Sequence, residues 1–292
     1  MGKPTEAGAE AAIESGIPPP PYAPSDAATT SSSSAAQLGF SPASEESANV
    51  PAGSSLSLLH HPIPQSLSAY MQLKLTRTIH LGDSTNHKLY ALSSHFIAAG
   101  GTYDGKPCLI LHNGPDDKDA ALATISEEPG WKPASTASIV TLPPLNSPAG
   151  AAATPQGIPN GVTEIMRPGI FDDEVTFGFR FSVEVEHGGG LLRREDFEWQ
   201  KADKNEMADA KAVYKLVRLE SRTDQAGEAR SSRDAPGVVA IAGFKGSLSW
   251  KSPFRFEFLG DGATGGLGDR WSVMALATAI RLWFLHLQGR IR

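Results

Sequence analysis

The chain has 292 residues, among them 29 Gly, 22 Pro and a single Cys, and its formal net charge is −6. One cysteine excludes a disulfide framework and a multi-cysteine zinc site. An excess of acidic over basic residues argues against a dedicated nucleic-acid binder, so no nucleic-acid partner is expected. The composition predicts a soluble, cytoplasmic protein, with peripheral attachment to membranes as the alternative location.

Residues 1–66 are predicted to form a disordered tail, because Ala, Ser and Pro dominate them and long apolar residues are scarce. The only basic residue before Met71 is Lys3, whereas acidic residues recur, so most of the negative charge lies in this tail. A signal peptide is not expected, since the short apolar stretch Ala11–Ile13 is flanked by Glu10 and Glu14. The folded domain is therefore predicted to span residues 67–292.

The tail contains one candidate binding motif, Pro18-Pro19-Pro20-Pro21-Tyr22. A proline run holds a polyproline II helix before a partner arrives, so docking in an aromatic groove loses little entropy. Pro19, Pro20 and Tyr22 fit the Pro-Pro-x-Tyr pattern that WW domains accept, which predicts a WW-domain partner. A chance match within a Pro-rich tail is the alternative.

Period-two alternation of apolar and polar residues predicts strands from Met71 onward. The densest segment is Val175–Val185, where every odd position is apolar and no helix could place those residues on one side. The other predicted strands are Met71–Leu81, Lys88–Ser93, Pro107–His112, Ala120–Ser126, Ala137–Leu142, Arg193–Trp199, Tyr214–Leu219, Val238–Phe244, Ser247–Trp250 and Phe254–Leu259.

Eleven or twelve strands without intervening helices favour an antiparallel barrel or sandwich over βαβ units. The dipeptides Asp104-Gly105 and Asn113-Gly114 are typical of hairpin turns. Two insertions, Pro143–Gly161 and Ser221–Pro236, are rich in turn formers or charge and are predicted to be mobile loops.

The C-terminal segment 269–288 predicts a helix that is apolar on all sides, with Asp269 as its N-cap and Gly289 as its stop. Such a helix is buried either in a protein core or in lipid. Arg281 and His286 inside the segment favour the core, since an Arg near the centre of a membrane helix costs about 2.5–3.5 kcal/mol on insertion scales. Trp271 and Trp283 are expected to fill the interior, and the chain is not expected to cross a membrane.

Strands followed by one apolar helix resemble the tubby C-terminal-like superfamily, which includes tubby, LURP-one-related and phospholipid scramblase proteins. The resemblance covers Met71 to Arg292 and rests on strand order, on Lys88–Leu92, on Leu109–Gly114 and on Gly260–Leu287. Residues Phe256–Trp271 are similar to a box found in uncharacterised fungal proteins. The resemblance implies a closed antiparallel β-barrel of about twelve strands around a buried C-terminal helix.

The same resemblance implies a limited amount about function. Tubby domains bind phosphoinositides through surface Lys and Arg, and scramblases are attached to membranes through lipidated cysteines and a calcium-binding segment. This sequence has neither a cysteine cluster nor a recognisable calcium loop, and no dense basic patch stands out in the folded part. Scramblases also carry a Pro-rich tail with a Pro-Pro-x-Tyr match, which adds weight to Tyr22.

Gly260, Gly262 and Gly265 match the G-x-G-x-x-G pattern of dinucleotide-binding sites. A Rossmann site needs a second parallel strand after the helix, and here the printed sequence ends first. We therefore expect no cofactor and interpret the glycines as a sharp turn of the backbone from the barrel wall into its lumen.

Other signals of catalysis or metal binding are weak, and no catalytic or metal-ligating residue is predicted. Cys108 lies in an apolar run typical of a buried small residue. Asp116–Asp119 lacks the alternating oxygen ligands of a calcium loop and is interpreted as a solvated hairpin tip. Arg281 is predicted to be a structural tether, because a cation in an apolar helix must reach an acid, a carbonyl, an aromatic face or water.

Two classes of function follow from these observations. The first is a non-enzymatic binding module for a membrane phospholipid, such as a phosphoinositide, with the tail recruiting a WW-domain partner. The second is a barrel that holds a small apolar ligand beside its helix, or an enzyme of an unrecognised class.

Overall fold

The computed structural model describes residues 62–71, 78–95, 107–128, 136–145, 153–170, 177–187, 190–219, 237–245 and 251–291. Twelve strands, two α-helices and one short 3₁₀ helix, Lys204–Glu206, lie within them. In chain order the strands and α-helices are β1 Ser66–Tyr70, β2 Thr78–Ser84, β3 His87–Ser94, β4 Leu109–His112, β5 Ala121–Glu127, β6 Ser138–Leu142, β7 Val162–Ile170, β8 Phe177–His187, β9 Leu191–Lys201, β10 Ala212–Leu219, β11 Val238–Phe244, β12 Lys251–Phe258, α1 Gly260–Ala263 and α2 Asp269–Leu287.

The strands form one closed barrel in which each strand pairs antiparallel with its neighbour in sequence. The barrel closes where β1 pairs with β12, with Leu67 opposite Phe256. The longest ladder joins β8 and β9, from Gly178 opposite Gln200 to His187 opposite Leu191. These pairings confirm the predicted fold class, a twelve-stranded antiparallel barrel with a C-terminal helix.

Alternation along the strands divides the wall into an apolar inner face and a more polar outer face. In β8, Phe179, Phe181, Val183 and Val185 are buried in the core, while the residues between them at positions 180, 182 and 184 are partly exposed. Burying a large apolar side chain contributes about 1.5–3 kcal/mol, so these strands hold their register through the inner face.

Helix α2 lies inside the barrel, and every residue from Val273 to Leu285 is buried. The ring centroids of Trp271 and Phe258 are 5.4 Å apart at one end, and those of Trp283 and Phe254 are 5.2 Å apart at the other. The helix ends at Leu287, one residue before the predicted end. Its burial on all sides explains why the segment has no polar face.

The two ends of α2 differ from each other in their capping. The N-cap is Gly268, with φ of 84° and no side-chain cap, so the prediction of Asp269 as the N-cap was wrong by one residue. A positive φ at the N-cap favours glycine over aspartate, and Asp269 becomes the first residue of the helix. At the other end, the backbone amide of Gly289 (φ 70°) donates to the His286 carbonyl, and the backbone amide of Arg290 donates to the Leu285 carbonyl. These two bonds form a Schellman motif, and the helix stops at the glycine predicted for this role.

Two strands of the barrel were not predicted. β1 has only Leu67 and Ala69 on its inner face, too short an alternation to stand out. β7 carries Glu164 on the same face as Met166, and this carboxylate interrupts the apolar pattern. Of the predicted strand Met71–Leu81, the structure has Met71 outside any strand and residues 78–81 within β2. The predicted strand Ser247–Trp250 and most of the predicted tail lie outside the described residues.

Candidate functional site

The lumen of the barrel is filled by the chain's own side chains. Trp271 and Trp283 are fully buried and Phe284 is 5% exposed. Trp199 of β9 donates from Nε1 to Oγ1 of Thr278 at 3.0 Å, which connects the wall directly to α2. Within the described part of the chain, the indole N–H groups of Trp271 and Trp283 have no hydrogen-bond partner. The interior is therefore an apolar core built around α2.

Arg281 is fully buried on α2 and reaches polar groups on β5, on β6 and immediately before β4. Its Nε donates to Oγ of Ser138 at 2.8 Å, and its Nη2 donates to Oε1 of Glu127 at 3.0 Å. Its Nη1 lies 4.0 Å from Sγ of Cys108. Arg290 also donates to Glu127. An acid is one of the partners expected for Arg281 from the sequence, and its role as a structural tether stays a prediction.

Burial and the neighbouring arginines shift the pKa values of Glu127 and Cys108, the two titratable groups that Arg281 contacts. Burial raises the pKa of Glu127, but hydrogen bonds from Arg281 and Arg290 outweigh burial and hold that pKa below the ordinary value of 4.5. Burial raises the pKa of Cys108 to about 11, although Arg281 opposes the shift. Cys108 is therefore a thiol at neutral pH, and its Sγ donates to the Ile125 carbonyl at 3.0 Å.

The glycine box runs from the end of β12 to the start of α2 and lies against the barrel end. Gly260 has φ of 49° and Gly265 has φ of 75°. A Cβ on Gly262 would lie 2.2 Å from the carbonyl oxygen of Val239 and 2.7 Å from the Trp271 ring. The backbone turns from wall to lumen here, as the structural interpretation of the box expects. Since the sheet is antiparallel throughout, the box does not have the βαβ setting of a dinucleotide site.

An ion-pair network connects β7, β8, β9 and α2 beyond the point where the pairing of β7 with β8 ends. The β7–β8 ladder runs only from Arg167 opposite Arg180 to Ile170 opposite Phe177. Beyond it, Arg194 of β9 contacts both Glu164 and Glu184, the latter at 2.7 Å. Arg270 of α2 donates to Glu184 at 3.0 Å and to the Pro143 carbonyl at 2.7 Å. The network joins the helix to the wall in place of backbone hydrogen bonds.

One end of the barrel carries lysines that the sequence analysis did not single out. We call Lys201, Lys204, Lys211 and Lys245 the lysine rim. Lys201 ends β9, Lys204 and Lys211 lie in the connection to β10, and Lys245 follows β11. The strand pairings bring the four positions to the same end, because Lys201 is opposite Tyr214 near the start of β10, and Ala212 at that start is opposite Phe244 at the end of β11.

The connection that presents the rim is fixed by a capping box and by packing. Asp203 accepts from the Asn205 amide at 2.9 Å, and Glu206 accepts from the Asp203 amide at 3.3 Å. Met207 rests on Gly243 of β11, where a Cβ would lie 2.3 Å from its Sδ. The spacing of Asp203 and Glu206 was a signal for this turn that sequence reasoning could have used.

The rim is incompletely neutralised. Nζ of Lys245 lies 3.7 Å from Asp209. Lys201, Lys204 and Lys211 are exposed and form no ion pair with any residue that the structure describes. Large apolar side chains are exposed at the same end, namely Ile170 at 62%, Phe177 at 45%, Met71 at 39% and Leu287 at 36%. Exposed lysines and exposed large apolar side chains therefore share this end of the barrel.

The predicted partner-binding residues Pro19, Pro20 and Tyr22 lie outside the described residues. Among the residues described, no group of three or more His, Cys, Asp or Glu side chains could hold a metal ion. No helix in that part of the chain is long and apolar enough to span a membrane. No family model, no curated protein and no solved structure matches the chain.

Proposed function

We propose that this protein is a binding module that attaches to anionic membrane phospholipid through the lysine rim. The observation that carries the proposal is the shared barrel end of the exposed pair Ile170 and Phe177 and of three exposed lysines, Lys201, Lys204 and Lys211, that form no ion pair with a described residue. The filled lumen supports an outer binding surface, because α2 occupies the space that a small apolar ligand would need.

The expected strength follows from the charges. Each Lys near an anionic bilayer contributes about 1 kcal/mol, so three unpaired lysines supply about 3 kcal/mol. The lysines alone would therefore bind only weakly, and partial insertion of Phe177 and Ile170 supplies the second contribution to attachment. The acidic side chains of Asp203, Glu206 and Asp209 lie in the same connection and limit the affinity, which favours membranes of high negative charge.

A sedimentation assay with vesicles tests the proposal on the full chain. Vesicles of phosphatidylcholine alone, with phosphatidylserine, and with phosphatidylinositol bisphosphate at equal total charge separate general anion attraction from head-group preference. We expect binding to both anionic mixtures, weakened about tenfold or more by Lys201→Glu with Lys211→Glu. The matched control, Lys118→Glu with Arg193→Glu, changes the charge equally on other exposed sites. Equal loss in both double variants, or no binding at all, would overturn the proposal.

A protein partner for the tail remains the second part of this proposal. The motif of Pro19, Pro20 and Tyr22 would bind in the aromatic groove of a WW domain while the barrel is attached to the membrane surface. Isolated WW domains should retain the full-length protein and lose it with Tyr22→Ala. Equal retention of the wild type and the variant would remove the WW partner without affecting the membrane proposal.

A further inference from the structure

Ser93 of β3 and His112 of β4 form a hydrogen-bonded pair on the outer face of the barrel. Oγ of Ser93 lies 2.8 Å from Nε2 of His112, and Nδ1 of His112 lies 2.9 Å from the carbonyl oxygen of Asp119. A carbonyl oxygen only accepts, so Nδ1 carries the ring proton and Nε2 presents its lone pair to the Ser93 hydroxyl. We propose that Ser93 is a nucleophile that His112 activates as a general base.

The roles correspond to those in serine acyl transfer, with a backbone carbonyl as the group that orients the histidine. Nucleophile and base are within hydrogen-bond distance, and the base is held by a third group on its other nitrogen. Each hydrogen bond is short enough to fix one tautomer of the ring. The two side chains are 19 residues apart in sequence and meet only because β3 pairs with β4.

The turn after β4 holds the orienting carbonyl rigidly. The Asp119 carboxylate accepts from the Asp116 amide at 2.9 Å, and the Asp119 amide donates to the Asp116 carbonyl at 3.1 Å. A Cβ on Gly114 would lie 2.2 Å from Oδ2 of Asp119, so a larger residue there would displace the carboxylate that accepts from the Asp116 amide. The Asn113-Gly114 turn predicted from the sequence thus also positions a functional carbonyl.

The exposure of the two residues suits their roles. His112 is 1% exposed and therefore has little water to compete for its lone pair, whereas Ser93 is partly exposed and open to a reagent. Thr78, opposite Ser93 on β2, donates its own hydroxyl to Asp117 at 2.9 Å. The neighbouring hydroxyl is thus engaged elsewhere, and Ser93 is the one bonded to His112.

The reaction expected of this pair is transfer of an acyl group from a carboxylic ester. Oγ of Ser93 attacks the ester carbonyl carbon while its proton passes to Nε2 of His112. The bond from that carbon to the alcohol oxygen breaks, and the alcohol leaves with the proton from His112. Water then repeats the sequence on the acyl-serine and releases the carboxylic acid, which restores Ser93 and neutral His112.

A fluorophosphonate probe tests the nucleophile, since it forms a stable phosphonyl-serine with release of fluoride. We expect the full-length wild type to be labelled, with the adduct mapped by mass spectrometry to Ser93, and Ser93→Ala to lose labelling. Ser182→Ala is the matched control, because Ser182 is a partly exposed strand serine whose hydroxyl donates to Asp196 and not to a histidine.

The base is tested by His112→Gln, checked for native circular dichroism before labelling. We expect its labelling rate to fall about 100-fold or more, within the range that general-base catalysis contributes. If His112→Gln does not fold, the wild-type adduct site and Ser93→Ala decide the question. Absence of a wild-type adduct on Ser93, or a folded His112→Gln that reacts at the wild-type rate, would overturn the proposal.

Discussion

Arg281 of α2 donates to the carboxylate of Glu127 at 3.0 Å, across 154 residues of sequence. Arg281 is completely buried, whereas the Glu127 side chain is 22% exposed and also accepts from Arg290. The pair joins the C-terminal half of α2 to the end of β5. Arg281 is buried, whereas Glu127 has a second cationic partner, so removing either residue should change the stability of the fold by a different amount.

We expect Glu127→Gln to destabilise the fold more than Arg281→Met does. Glu127→Gln leaves a fully buried guanidinium without a counter-charge, and breaking such a pair costs about 3–5 kcal/mol. Arg281→Met removes the buried charge and leaves a partly exposed Glu127 that still contacts Arg290, so we expect about 1–2 kcal/mol. Urea unfolding measures both values.

The double variant completes this test. Glu127→Gln combined with Arg281→Met should be closer in stability to Arg281→Met alone than to Glu127→Gln alone, since no unpaired charge remains. An unchanged unfolding free energy in Arg281→Met would contradict the tether.

Stability should fall at acid pH through carboxylates whose pKa is depressed in the folded state. Burial raises the pKa of Glu127, yet Arg281 and Arg290 hold it below 4.5, and in Glu195 the hydrogen bonds from Arg218 and His187 likewise outweigh burial. A depressed folded pKa stabilises the fold above the unfolded pKa, and that stabilisation is lost as pH falls through the folded value.

The measurement for this prediction is urea unfolding at pH 7, 5, 4 and 3. The wild type should lose stability below about pH 4.5, and the difference between the wild type and Glu127→Gln should shrink in the same range. A difference that stays constant from pH 7 to pH 3 would show that the charge of Glu127 does not carry the effect.

The inner faces of the strongest strands could be predicted from the sequence because aromatic residues alternate there without interruption, as in β8 and in Phe254, Phe256 and Phe258 of β12. β7 could not, because Glu164 occupies an inner position where Arg194 and Arg270 compensate its charge. Because the two arginines belong to β9 and α2, the sequence of β7 alone does not show that Glu164 can occupy an inner position.

The candidate functional surfaces were harder to predict for the same reason. The need of Arg281 for a partner followed from its apolar helix, but the identity of Glu127 did not. Ser93 and His112 are adjacent only through strand pairing, and the lysine rim is assembled from separate connections. In a barrel such sites arise from register, which the spacing of residues within one strand does not encode.

Gly262→Ala should destabilise the glycine box, because the added Cβ would lie 2.2 Å from the Val239 carbonyl oxygen, a backbone atom that cannot move freely. Overpacking of this kind costs about 1–3 kcal/mol. Gly266→Ala is the matched control in the same segment, since its Cβ would meet only the Thr264 hydroxyl at 3.3 Å. Thermal unfolding should separate the two variants, and equal melting temperatures would contradict the close approach at Gly262.

The bond from Trp199 to Thr278 gives the most direct test of how the wall holds the helix. Thr278 accepts from the indole Nε1 at 3.0 Å and donates to the Met274 carbonyl at 2.8 Å. Thr278→Val keeps the side-chain shape but leaves the buried indole N–H unpaired, which costs about 1–3 kcal/mol. Thr278→Ser retains the hydroxyl and should preserve the bond.

Two measurements identify the bond itself and not merely the packing around it. The indole N–H resonance of Trp199 in a ¹⁵N-labelled sample should shift upfield in Thr278→Val and stay near its wild-type position in Thr278→Ser. In a Trp199→Phe background, where the donor is gone, Thr278→Val should cost little, so the double-mutant cycle should give a coupling of about 1 kcal/mol. Additive losses with no coupling would show that the wall and the helix are held together by apolar packing alone.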